Sequence, residues 1–138
     1  MGLVFIPLVL LSIVVLVNIV LFLVARFGGW QEMEKIYPER KVFQGKEWRF
    51  RCLRFTAWAG YNNCVTIGAN AEGIRLAMPW FFSTGHSPIF IPWSEITGRA
   101  DTNLLYMPLT EISVRGTDRK ISFPRRLIDE LYQEKPAD

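Results

Sequence analysis

Leu3 to Ala25 is a run of 23 residues interrupted only by Pro7, Ser12 and Asn18, and it holds no charged side chain. As an α-helix rising ~1.5 Å per residue it reaches about 34 Å, enough to cross a hydrocarbon core with slight tilt. Every face is apolar, as lipid on all sides requires. Pro7 lies near the outer end, where a missing N–H costs least. A cleaved signal peptide would need a basic start and an apolar stretch of only about 7–15 residues. Here nothing basic precedes the run, the run is far longer, and Leu23-Val24-Ala25 is a poor cleavage site. Met1-Gly2 is no myristoylation start, because Ile6 stands where Ser or Thr is wanted. Residues 1–26 are therefore expected to form a single transmembrane helix.

Arg26, Phe27 and Trp30 follow the run and are expected at the headgroup level, with Gly28 and Gly29 freeing the chain to leave the helix axis. Lys and Arg are absent on the N-terminal side, whereas Arg26, Lys35, Arg40 and Lys41 flank the other. The positive-inside rule then places the C-terminal domain in the cytoplasm, as a single-pass protein of the inner membrane. Cys52 and Cys64 would be reduced thiols there, and a disulfide between them would argue for the opposite side. Asn18 reads as an isolated polar residue that insertion tolerates, since no GxxxG pattern accompanies it.

The 113 residues after Ala25 carry all 16 basic and 13 acidic side chains and have the apolar share of one globular domain. A disordered tail, a fibre, a repeat array and a multi-domain enzyme are excluded. Residues 27–46 read as a juxtamembrane linker of mixed charge. Met33, Ile36 and Tyr37 suggest one short amphipathic turn on the membrane, which Pro38 ends.

From residue 47 strand signals dominate. Trp48, Phe50 and Cys52 alternate with Arg49 and Arg51, and the alternation slips at Leu53, where a bulge is expected. Val65, Ile67 and Ala69 alternate, Asn70 to Gly73 turns the chain, and Ile74, Leu76 and Met78 alternate again. This is a hairpin, with Gly73 expected in the left-handed conformation. Ser83 to Pro88 is turn chemistry, and Ile89 to Trp93 is a short strand whose Pro92 suits an edge or an end. Leu104–Met107 and Leu109–Arg115 read as strands. Gly116 to Arg119 turns into a partner strand, Lys120–Phe123. Leu127, Ile128, Leu131 and Tyr132 form the apolar stripe of a last helix. Trp93 is assigned to the core.

The wording Tyr61-Asn62-Asn63-Cys64, then Gly85-His86-Ser87-Pro88, then Ile91-Pro92-Trp93-Ser94-Glu95-Ile96 resembles the short bacterial pleckstrin-homology-like (PH-like) proteins that carry "IPW-x-EI" after a "GH-x-P" turn. The resemblance covers roughly residues 48–133. It implies a mainly-β (α+β) bent barrel of about six or seven antiparallel strands plugged by a C-terminal helix, over residues 47–138. It implies no activity, because fold alone does not carry one.

One His and two Cys cannot build a structural zinc site, and no cofactor motif is present. His86 is the one histidine available as a general base for Cys52 or Cys64, but its Gly-His-Ser setting reads as a turn residue. Asp129 and Glu130 are adjacent on a helix and point apart. Enzyme activity is not expected. Across residues 40–54, Arg40, Lys41, Lys46, Arg49, Arg51 and Arg54 face one acid, Glu47, and suggest a basic patch facing anionic lipid. Trp80, Phe81 and Phe82 read as a core strand end or, if exposed, as a partner-binding or membrane-dipping surface. The expected function is a membrane-anchored, non-catalytic interaction module held near the inner leaflet. Its partners are membrane lipid and a protein, or a second copy through the transmembrane helix, and not nucleic acid. An anionic-headgroup sensor is the alternative, with a small membrane-bound hydrolase behind it.

Overall fold

Alternation of apolar and polar residues bends most of the chain after residue 46 into strands, and the order in which they pair decides where each loop ends up. The computed structural model describes residues 2–55, 60–80, 83–104 and 106–136. Helix α1 (Gly2–Gly28) is followed by α2 (Trp30–Ile36), then β1 (Lys46–Arg54), β2 (Gly60–Ala69), β3 (Gly73–Ala77) and β4 (Ile89–Pro92). A 3-10 turn at Trp93–Glu95 leads to β5 (Ile96–Leu104), β6 (Met107–Val114), β7 (Lys120–Pro124) and α3 (Arg125–Tyr132). The seven antiparallel strands form one curled half-barrel in the order β4-β3-β2-β1-β7-β6-β5. Two meanders meet where Arg54 of β1 pairs with Ser122 of β7. The seven strands and the closing helix agree with the expected architecture.

The core is filled by Val65, Ile67, Ile74, Leu76, Ile89, Ile91, Ile112, Ile121 and Phe123 from the concave face, with Leu127, Ile128 and Leu131 of α3 laid on it. Trp93 belongs to this core, as expected, and donates its indole N–H to the Asn70 carbonyl at 2.8 Å. The Asn70 turn closes the β2–β3 hairpin: Asn70 Oδ1 accepts from the Glu72 and Gly73 amides at 2.8 and 3.1 Å. Gly73 is not left-handed. It is required by close approach, since a Cβ there would meet the Ile91 carbonyl oxygen at 2.2 Å.

The slip in β1 is present where expected, as a register shift between Arg51 and Leu53, and a second shift falls between Trp48 and Arg51, where Phe50 takes φ +57° with its ring exposed. Two further expectations are corrected. Ile96–Leu104 is a strand, and Leu104–Met107 is not one: Leu104 ends β5 paired with Met107, the first residue of β6, and Tyr106 takes φ +71°. Residues 27–46 are not a free linker. Trp30 and Met33 of α2 are fully buried in the domain core, and the strap after α2 pairs with β4 through the Pro38–Ile89 bridge.

Candidate interaction surfaces

The junction between α1 and the sheet is the most tightly specified polar region. Gly29 takes φ +113° and separates the two helices; a Cβ there would strike the Arg119 side chain at 2.6 Å. The Trp30 ring, expected at the headgroups, is buried edge-on against Phe55, Tyr61 and His86 at centroid distances of 5.9, 5.5 and 5.0 Å. Its indole N–H donates to the Ser87 carbonyl at 2.9 Å. Glu34 Oε1 accepts the Ser87 amide at 2.7 Å, and Glu32 pairs with Arg119 at 2.5 Å. Tyr37 donates its hydroxyl to the Arg115 carbonyl. Arg26 and Phe27, by contrast, remain exposed.

His86 is buried beside this cluster. Nδ1 lies 2.7 Å from the Thr84 carbonyl, which can only accept, so Nδ1 carries the proton. Nε2 then accepts the Tyr61 hydroxyl at 2.6 Å. Desolvation lowers the imidazole pKa from its usual range, outweighing the opposite pull of the Thr84 carbonyl and Glu34. Burial also raises the Tyr61 phenol well above its ordinary value. With both nitrogens engaged, His86 offers no lone pair to Cys52 or Cys64. Among the described residues no three His, Cys, Asp or Glu side chains gather as metal ligands.

The six cations of residues 40–54 are not one patch. β2 runs from Tyr61 at the junction to Ala69, eight steps or about 26 Å at ~3.3 Å per residue. Lys46 pairs in register with Ala69, at the far end. Lys41 forms an ion pair with Glu72 at 2.6 Å and Lys46 lies 4.0 Å from Glu134. Arg54 and Arg51 stand nearer the junction, opposite Gly60 and Val65. Arg49 and Arg51 are exposed and make no ion pair among the described residues; between them is Phe50, 59% exposed.

Arg40 and Lys41 instead line a groove of about 850 Å³ between the strap and the β4 side of the sheet. Its floor includes Phe90 and Pro92, and its walls carry Glu39, Glu72 and Glu95. The strap is held in place by Glu39, which takes the Arg75 guanidinium at 2.6 Å, and by Phe43, whose ring lies beside Gly68 and beneath Arg75. Val42 at the rim is exposed. No sequence motif marks this groove, because its walls come from segments up to about sixty residues apart.

Trp80 is 86% exposed, whereas Phe81 and Phe82 lie outside the described residues. Asn18, read as isolated, has partners: its Nδ2 donates to the Val14 carbonyl at 2.7 Å and its Oδ1 accepts the Thr84 hydroxyl. No family model, curated protein or solved structure matches this chain.

Proposed function

We propose that this chain is a single-pass inner-membrane protein whose cytoplasmic, PH-like domain is a non-catalytic module that seats a protein partner in the strap groove. α1 is long and apolar enough to cross a membrane, and the Lys and Arg flanking its inner end favour the cytoplasmic side. The observation that carries the reading is the groove itself. It is concave, mixes an apolar floor with both signs of charge, and runs from Ile36 and Tyr37 to Asn70 and Glu72 of the β2–β3 turn. The engaged state of both His86 nitrogens supports a non-catalytic role.

A photo-crosslinking residue at Val42 of the full chain, in native membranes, tests this. The expected result is a discrete adduct at 42 that disappears on Phe90→Glu and is absent from a control position at Arg126. Identical adducts from both positions, or none from 42, would overturn the groove as the partner site.

A second reading draws on the Arg49-Phe50-Arg51 bulge, where two exposed cations flank an exposed ring in a conformation that an L-residue adopts at a cost. Such a bulge suits an anionic headgroup. A fluorophore at Phe50→Cys in the full chain should shift blue in anionic vesicles, less so in zwitterionic ones, and lose the difference on Arg49→Glu/Arg51→Glu.

A further inference from the structure

The Pro79–Gly85 segment carries the one run of consecutive aromatics in the chain, and the structure sets its far end directly on α1. A Cβ on Gly85 would meet Ala25 Cβ, Phe22 Cδ2 and Gln31 Nε2, each at 3.3 Å. One turn deeper, Thr84 donates its hydroxyl to Asn18 Oδ1. Asn18 is seven residues, or about 10 Å, inside Ala25, after which the first charge, Arg26, appears.

That depth falls within the bilayer if α1 is read as a membrane span. Ile19, Val20 and Leu23 lie beside the contact along α1 and are 46–51% exposed in the folded chain. Three large apolar side chains within little more than one turn need an apolar solvent, so the acyl chains must extend at least to Leu23. A loop touching α1 at Asn18 and Phe22 then lies below the headgroups.

The polar groups of the loop are arranged for such a medium, where each unsatisfied one costs several kcal/mol. Ser83 Oγ donates to the Trp80 carbonyl at 2.8 Å, and the Ser83 carbonyl accepts the His86 amide at 2.8 Å. The Thr84 carbonyl takes His86 Nδ1, and the Gly85 carbonyl takes Gln31 Nε2 at 3.4 Å. Asn18 and Thr84 satisfy one another. Trp80, meanwhile, exposes an amphipathic ring of the kind that partitions to a membrane interface.

We propose that the Ser83–Gly85 turn is a second membrane-contacting element, inserted beside α1 into the acyl-chain boundary of the leaflet that faces the domain, with exposed Trp80 next to it. It rests on the reading of α1 as a span and seats the domain at two points: one helix through the bilayer and one turn dipping into it.

The test uses the full chain with Cys52→Ser and Cys64→Ser, in phosphatidylcholine–phosphatidylglycerol vesicles, carrying one cysteine at a time. Val9→Cys probes the span, Arg126→Cys the aqueous face, and Trp80→Cys and Ser83→Cys the loop; Ser83→Cys keeps the indole in place. Reaction with a water-soluble maleimide is timed over the outward-facing fraction. Thiols at 80 and 83 should react about tenfold or more slowly than at 126, because an apolar medium raises the thiol pKa and removes the reactive thiolate. Rates at 80 and 83 equal to that at 126, with position 9 protected, would overturn the loop insertion and leave the span standing. A reactive position 9 would overturn both.

Discussion

Trp30→Ala separates two accounts of the segment that follows α1. If the indole stood at the headgroups, its loss would leave domain stability within about 0.5 kcal/mol of the parent. In the structure the ring is fully buried, touches three other rings edge-on and donates to the Ser87 carbonyl. Deleting a buried Trp side chain costs about 3–5 kcal/mol in transfer and cavity terms together. The Ser87 carbonyl, left without its donor, belongs to the same loss rather than adding fully to it, because water refills part of the site. For a domain of this size about 4 °C of Tm accompanies each kcal/mol, giving a fall of about 12–20 °C. Trp30→Phe keeps most of the ring contact and isolates the hydrogen bond, at about 1–2 kcal/mol. The assay is thermal unfolding of the full chain in detergent micelles followed by near-UV circular dichroism, with Trp80→Ala as the exposed control. A Trp30→Ala shift as small as that control, about 2 °C or less, would refute the packing of α2 into the core.

Gly73→Ala should lower the unfolding free energy measured in urea by about 2 kcal/mol, because its Cβ meets the Ile91 carbonyl at 2.2 Å and Pro92 Cα at 2.8 Å, both backbone. Gly98→Ala, whose nearest neighbour is 3.8 Å away, should stay within about 0.5 kcal/mol. His86 titrates below its ordinary value in the folded state, so below about pH 6.5 the unfolded chain binds more protons and stability falls as pH drops. Unfolding midpoints at pH 7.5 and 5.0 should therefore differ less in His86→Gln than in the parent; an equal or larger difference would refute the assignment. Glu39→Gln should cost about 1–2 kcal/mol by releasing Arg75, since both side chains are mostly buried, and should increase proteolysis within residues 37–45.

What could be read locally was read correctly: the β2–β3 hairpin and the α3 stripe depend on neighbours two to five residues apart. β5 escaped because it is an edge strand, wet on most of its length, so Thr97, Arg99, Ala100, Asp101 and Asn103 leave no apolar alternation to see. The slip at Leu53 was legible from side-chain parity and is met by a register shift there, whereas the second shift, at Phe50, comes from a positive φ that leaves no mark on composition. Trp30 was misplaced for a related reason. An indole after an apolar span reads as a membrane-interface residue, and its actual neighbours Phe55, Tyr61 and His86 are 25 to 56 residues away. The cations of residues 40–54 share a stretch of sequence but follow a strap and a strand, so sequence proximity spread them over about 26 Å. Tyr61, Asn18 and Thr84 carried no signal as a group, since each is ordinary alone.

The burial of α2 changes what the anchor does. A flexible tether would let the domain sample every tilt above the leaflet. Here Asn18, Leu21, Val24, Ala25 and Gly28 form one stripe at helical spacing that packs on the domain, continuing the face by which α1 meets it. Gly29 redirects the chain, and Glu32, Glu34 and Trp30 then fix α2 to Arg119 and Ser87, on two separate loops. Rotation of α1 about its axis would break the Thr84 contact, and bending at Gly29 would expose Trp30 and break its bond to Ser87. The helix and the half-barrel thus behave as one body. With α1 read as a span, its direction would set which face of the sheet meets lipid and would orient the groove with it.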